Sequence, residues 1–345
     1  MPAFCLPGLF RRILFIAAAF CWINAHAGSD LETIKARGVL HCGVSEDIPG
    51  FAQRDQAGEW RGLNVDFCRA VAAAIFSDPQ RAVFMPLTAS QRFPALKGKR
   101  VDLLLRNATW TFAREAQLKL EFPAVLFHDG QAFMLPKSAR IRSPEKLAGK
   151  TVCVEKGTTH EKRLISYFAA RGAQVSALII DSAGGAADAL FAGRCQAYTS
   201  DASQLAALLT RAGSRGKEFE ILPERISKEP LGPVVRSGDP EWASLVRWVR
   251  NVLVAAEEDG LTAANIDSRL PALAGSQWDA VSGVNDLPAR NLGVRKDWAI
   301  RALKAAGNYG EIYERHFGKA TPLPIERGQN RLWSQGGLLF APPFE

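Results

Sequence analysis

The sequence predicts an α/β protein of two lobes, and three observations carry that prediction. Strand and helix signals alternate and then restart near residue 131, which reads as βαβαβ twice. The strand-like runs are close to continuously apolar, which suits parallel sheets covered on both faces. Extended stretches near residues 131 and 230 mark two crossings between the α/β units, and paired crossings leave a cleft between lobes.

In the first unit, GVLHCGVS (38–45) is a short strand. LNVDFCRAVAAAIF (63–76) is a helix, with Leu63, Phe67, Val71 and Ile75 four residues apart. AVFMPL (82–87) is a strand, and SQRFPALKGKR (90–100) a short helix whose Pro94 fits only near a helix start. VDLLL (101–105) is a strand that ends in the polar run RNATWTFAR (106–114).

The second unit opens with QAFMLPK (131–137), extended, and SPEKLAGK (143–150), a short helix with a Gly stop. TVCVEKG (151–157), QVSALII (174–180) and CQAYTSD (195–201) are strands. THEKRLISYFAARG (159–172), GGAADALFAGR (184–194) and SQLAALLTRAG (203–213) are helices. FEILPERISKEPLGPVVR (219–236) is the second extended connection, and helices follow at 240–260 and 296–318.

Residues 1–27 are set apart. Arg11 and Arg12 precede an apolar run from Ile13 to Ile23, and Ala25-His26-Ala27 offers small residues for cleavage, as in a secretory signal. The run is shorter than the roughly 20 residues of a membrane span, so an uncleaved anchor is the lesser alternative. The formal charge of +8 includes Arg11 and Arg12, leaving +6 for an exported chain with no Lys/Arg block. Nucleic acid is excluded as a partner on that ground, and a basic field favours anionic or carboxylate-bearing ligands.

Cys42, Cys68, Cys153 and Cys195 remain beyond the signal, an even number in an exported chain. The sequence does not choose among three pairings; sequential pairing, one bridge in each half, is favoured. No pair has CxxC spacing and no His lies at ligand spacing, so no metal is expected. AGKT (148–151) has Pro144 where a phosphate loop needs Gly, and no GxGxxG or GxSxG occurs, so no cofactor is expected.

Ligands of open α/β sheets sit beyond the carboxyl ends of strands. Three polar clusters fall there: RNATWTFAR, KGTTHEKR and TSD (199–201). An α-amino acid needs an Arg fork and neutral donors for its carboxylate, and an acid for its ammonium. Arg114, Thr109 and the backbone at Asn107 supply the first set. Gly157-Thr158-Thr159 opens a helix whose free N–H groups favour an anion, and Asp201 supplies the acid. Each residue also has a plain structural role: Thr158, Thr159 or Asp201 as helix N-caps, Arg114 as a solvated surface cation, Trp110 as core packing.

The quoted segments resemble the periplasmic solute-binding proteins of ABC amino-acid uptake systems, most closely the general L-amino-acid-binding subfamily. The likeness runs from GVLHCGVSEDIPGF (38–51) through GNYGEIYERHFG and GGLLFAPP, nearly the whole mature chain. It implies the type II periplasmic binding protein fold: a signal peptide at 1–27, lobe 1 beginning at 28–131, lobe 2 at 132–229, and a return crossover with the rest of lobe 1 at 230–345. It implies that Arg114 clamps the ligand α-carboxylate with Thr109 and Thr159, that the Asn107 backbone faces the ligand, that Asp201 takes the ammonium, and that Phe51 covers the side chain. It also implies an L-amino-acid ligand, an ABC permease as partner, a monomer, and a periplasmic location. The chain departs from the pattern at Leu105, at Phe127-His128, and around the double Thr at Glu155, Lys156 and His160. Two rivals share the fold: a dehydratase-type enzyme, with Glu155, His160 and His128 as its candidate groups, and a sensor module that hands its closed form to a receptor.

Overall fold

The structure, a computed structural model, describes Met1, Ala3, residues 29–45 and residues 47–344. Apart from Met1 and Ala3, the expected export segment 1–27 lies outside the described residues. The strands are β1 (Leu40–Val44), β2 (Gln53–Arg54), β3 (Trp60–Arg61), β4 (Ala82–Pro86), β5 (Leu103–Thr109), β6 (Leu120–Glu121), β7 (Phe127–Asp129), β8 (Gln131–Pro136), β9 (Thr151–Glu155), β10 (Ser176–Ile180), β11 (Ala197–Asp201), β12 (Phe219–Ile221) and β13 (Glu229–Arg236).

Two sheets form the two lobes. The first runs β4-β1-β5-β13-β6, with β7 also on β13; the second runs β10-β9-β11-β8-β12. β1 is parallel to β4 and β5, and β9 is parallel to β10 and β11. Both sheets nevertheless turn mixed where β13 and β8 join antiparallel, which corrects the expectation of parallel sheets. The reason is connectivity: these strands carry the chain between lobes and enter their sheets from the cleft side.

The crossings fall at Gly130, the single residue between β7 and β8, and in the stretch between β12 and β13. A side chain at Gly130 would start 2.9 Å from the Ser227 carbonyl oxygen, so the two crossovers lie backbone to backbone.

The helix Leu63–Phe76 forms as its spacing predicts. Its preceding Gly62 has φ +135°, and a Cβ there would meet the Phe51 carbonyl oxygen at 2.1 Å, so only glycine fits. That helix packs between the first sheet and the later helices Pro240–Glu258 and Trp298–Ala306, where Trp242 and Trp298 are fully enclosed.

Three local expectations need correction. Residues 143–150 make only a 3-10 turn at Pro144–Leu147. The helix expected over 296–318 is two, Trp298–Ala306 and Tyr309–Phe317; Gly307 leaves the helix at φ +85° and Asn308 starts the next with a capping box to Glu311. β5 does not stop at Leu105 but continues to Thr109, all seven residues buried. Arg106, Asn107 and Thr109 are therefore sheet residues and not a loop.

Sequential pairing of the cysteines holds: Cys42 joins Cys68, and Cys153 joins Cys195. The first bridge ties β1 to the helix Leu63–Phe76, and the second ties β9 to the bend just before β11, each within its own lobe.

Candidate functional site

The carboxyl end of β5 forms one wall. Asn107 sits at φ +43°, a conformation that Asn tolerates better than most residues. Its Oδ1 accepts from Asn64 Nδ2 at 2.8 Å. The chain then turns into the helix Phe112–Leu118, whose N-cap Thr111 accepts from the Arg114 N–H at 3.2 Å. This cap fixes Arg114 in the first turn, facing back to the strand, where its Nη1 donates to the Thr109 carbonyl oxygen at 2.6 Å. Its guanidinium stacks 4.9 Å from the Phe93 ring centre, and the residue is buried.

The opposite wall comes from the second lobe. Gly157 has φ +78° and approaches so closely that a Cβ would lie 3.1 Å from Ser90 Cα of the first lobe. Arg92 Nη2 donates to the Gly157 carbonyl oxygen at 3.2 Å. The helix Thr159–Ala169 begins here with Thr158 at the cap position, although the Thr158 hydroxyl bonds the Glu155 carbonyl oxygen instead of capping. Asp201 likewise occupies the cap position of the helix Ala202–Arg211 without capping it. Its carboxylate turns inward to His160 Nε2 at 3.0 Å.

The lobes meet through buried polar bonds. Arg106 Nη2 donates to Glu155 Oε1 at 2.8 Å. Glu229, the first residue of β13 at the end of the return crossover, accepts on Oε2 from Thr109 Oγ1 at 2.6 Å and from Thr159 Oγ1 at 3.1 Å, and the two hydroxyls are 3.5 Å apart. Between these groups is a small cavity of about 10 Å³, walled by Arg92, Arg106, Asn107, Thr109, Glu155, Thr159, His160 and Asp201 among others.

The cavity's charges are poorly solvated. Burial pulls Arg114 down to about 10, against the raising influence of Glu229 and Asp201. Burial lowers Arg92 as well, helped by the like charges of Arg114 and Arg106. For His160, burial lowers but Asp201, Glu229 and Glu155 outweigh it, so the imidazolium is favoured. Burial and the neighbouring Asp201 push Asp129, at the first crossover, up to about 7. Arg92 Nε, Asn107 Nδ2, Glu155 Oε2 and His160 Nδ1 are buried with no hydrogen-bond partner among the described residues, which is costly unless something else meets them.

Of the six residues expected at the site, Asn107, Thr109, Thr159 and Asp201 line this one cavity. Arg114 stands directly behind Thr109. Phe51 does not line this cavity: its ring is buried in the first lobe against Phe127 at 5.2 Å and Phe317 at 5.0 Å, where it shares a separate small cavity with Asn107. Trp110 is 40% exposed and stacks on Phe122, which excludes the core role. His128 is also elsewhere, with its backbone N–H and carbonyl both bonded to the Asn330 side chain. Arg92, Arg106 and Glu229 were missed as site residues. Arg106 opens the RNATWTFAR run and Glu229 follows a Ser-Lys pair in the crossover, but neither has a local spacing that marks it. His160, Asp201 and Glu229 bring donor atoms within 4.8 Å of one another, a grouping invisible along the chain.

Two α/β lobes, two crossovers and a buried polar cavity between facing strand ends define a two-lobed, ligand-binding protein of the periplasmic binding protein type. The chain belongs to the bacterial extracellular solute-binding proteins, family 3, whose description matches residues 40–267. It is 41% identical over 337 residues to the general L-amino acid-binding periplasmic protein AapJ of Rhizobium johnstonii, covering 95% of this chain and 97% of that protein. It is 42% identical over 330 residues to the glutamate/glutamine/aspartate/asparagine-binding protein BztA of Rhodobacter capsulatus, again with 95% and 97% coverage. Among solved structures, a periplasmic binding protein of an ABC transporter from Brucella ovis, with glutathione bound, superposes with a TM-score of 0.87 at 41% identity, over 92% of this chain and all 100% of that one. The cysteine-binding protein of Campylobacter jejuni superposes at 0.60 with 26% identity, over 71% of this chain and 94% of that one. No helix among the described residues is long and apolar enough to cross a membrane.

Proposed function

We propose that this protein captures L-amino acids in the inter-lobe cavity and delivers them to an ABC importer. The observation that carries the reading is the charge layout of that cavity. A cationic first-lobe wall of Arg92 and Arg106, with Arg114 behind Thr109, faces the acids Asp201 and Glu155, which suits the two charges of an α-amino acid. Arg114 is buried with no carboxylate bonded to it among the described residues, and a ligand carboxylate would restore its lost solvation. Thr109, Thr159 and the Asn107 backbone add neutral bonds to the ligand. Asp201 takes the ammonium in place of its bond to His160. The unpartnered Arg92 Nε supports a side chain that carries an acceptor, such as a carboxylate or amide.

Closure is the transport signal: a ligand touching both Arg114 and Thr159 stabilises the closed form by its differential affinity for it. The protein works in the periplasm as a monomer after removal of residues 1–27, with lobes at 28–131 plus 230–345 and at 132–229. The carrier reading, rather than an enzyme, is supported by the relatives, which are solute-binding proteins. A thermal-shift screen of the amino acids tests the reading; a ligand at 100 times its dissociation constant adds about 2.7 kcal/mol of stability. Flat melting curves for all of them would overturn it, and conversion of a bound amino acid during overnight incubation would replace the carrier with an enzyme.

A further inference from the structure

We infer that Asn330 is a positioning residue for lobe closure: its carboxamide fixes the first crossover at His128 and, through the β7-β13 ladder, sets the place of Glu229. The inference rests on the amino-acid reading above, in which Glu229 acts through Thr109 and Thr159.

β7 ends one residue before the Gly130 crossover. On one side it pairs with β13, where His128 stands opposite Pro230, a residue with no N–H to give. On its other side no strand follows among the described residues. The Asn330 carboxamide takes that place. Its Oδ1 accepts from the His128 N–H at 2.6 Å, and its Nδ2 donates to the His128 carbonyl oxygen at 2.9 Å. A planar side-chain amide thus imitates one residue of a further strand and meets both backbone groups.

Asn330 is 3% exposed, and its own segment is fastened to the first lobe. Arg327 Nε donates to the Asn330 carbonyl oxygen at 3.0 Å. The same guanidinium forks onto both oxygens of Glu257, in the helix Pro240–Glu258, and lies over the rings of Tyr309 and Tyr313. Toward the second lobe the segment borders a cavity of about 690 Å³, whose far wall includes Ser203, Ala206 and Leu222. The clamp therefore moves with the first lobe and leaves the second lobe room to turn. Beyond Gly130, the Gln131 N–H is tied to Ser227 Oγ at 3.2 Å, so bending is confined to the Asp129–Gly130 link. Glu229 stands opposite Asp129 in the ladder, one position from the clamped pair. Holding His128 thus holds the backbone that carries Glu229, whose Oε2 meets one hydroxyl from each lobe.

Stopped-flow tryptophan fluorescence on the purified chain, with L-alanine and L-glutamine as probes, tests this. Asn330→Ala removes both bonds. Asn330→Asp keeps the acceptor but sets a carboxylate oxygen against the His128 carbonyl. Leu147→Ala, in the second lobe's core, controls for lost stability alone. With two hydrogen bonds lost or spoiled, both Asn330 variants are expected to raise the dissociation rate constant about fivefold or more, equally for the two probes. Leu147→Ala should lower the melting temperature and leave that rate near wild type. Small-angle scattering without added amino acid should give Asn330→Ala the larger radius of gyration, because a loosened crossover opens more widely. The inference falls if the Asn330 variants release the probes at the wild-type rate, or no faster than Leu147→Ala does. If neither probe binds the wild-type chain, scattering alone decides, and equal radii overturn the clamp. Melting curves that no amino acid shifts would sink the amino-acid reading separately.

Discussion

Glu229 Oε2 accepts a hydrogen bond from Thr109 Oγ1 at 2.6 Å, and the same oxygen accepts from Thr159 Oγ1 at 3.1 Å. A residue at the end of the crossover between lobes thus holds a hydroxyl from each of them. Hydrogen bonds to a charged group contribute roughly 1.5–3 kcal/mol. Glu229→Gln keeps the shape but removes the charge, and an amide oxygen accepts more weakly. Amino-acid affinity measured by calorimetry is expected to fall about tenfold or more. An unchanged dissociation constant would show that the bridge is incidental to closure.

Arg114 is the strongest single test of the proposed clamp. Removing one partner of a buried charge pair costs roughly 2–5 kcal/mol, or about 30- to several-thousand-fold in affinity. Arg114→Ala should therefore abolish micromolar binding, and Arg114→Lys should not restore it, since an ammonium lacks the planar fork. Retention of wild-type affinity in the alanine variant would remove Arg114 from the site.

The Asp129 carboxyl makes stability depend on pH. Its folded pKa, about 7, lies above the ordinary 3.8, so the neutral form is the one that the fold favours. That contribution is complete below about pH 4 and is lost as pH rises through 7. Asp129→Asn imitates the neutral form and can still bond Ser203. Its melting temperature should match wild type near pH 4 and exceed it at pH 8. Parallel melting profiles across that range would count against the shift.

The two bridges close loops of 26 and 42 residues. Chain-entropy arguments give each about 3.5–4 kcal/mol. Replacing Cys153 and Cys195 together by Ser should lower the urea midpoint with little change in ligand preference, because the bridge lies in the second lobe's core. A shift in ligand selectivity without loss of stability would contradict this placement.

Much of the fold was legible in the residue order because it depends on local signals. The four-residue spacing in Leu63–Phe76 marks a helix, and that helix appears with the expected ends, buried on nearly every side. Apolar runs such as Thr151–Glu155 pair as strands wherever both faces are covered. The misplaced end of β5 has a physical cause: Arg106, Asn107 and Thr109 are polar, and polarity reads as loop. β13 pairs alongside Ala108 and Thr109, and buried partners such as Asn64, Leu87, Glu155 and Glu229 meet the polar side chains, so the strand continues.

The same distinction separates the halves of the site. Thr109 and Arg114 are five residues apart, joined by one strand end and one capped turn, and their proximity follows from the chain itself. The surroundings of Phe51 were not legible, because an aromatic beside a cleft and an aromatic in a core have the same local sequence; its contacts with Phe127 and Phe317 depend on packing of distant segments. Glu229 meets Thr109 across 120 residues and Thr159 across 70. Arg106 meets Glu155 across 49. Residue order supplied the strand ends and their polar cargo, because propensity and periodicity act over a few residues. Which ends face each other, and which charges are left unmatched between them, depended on how two crossovers fold the lobes together.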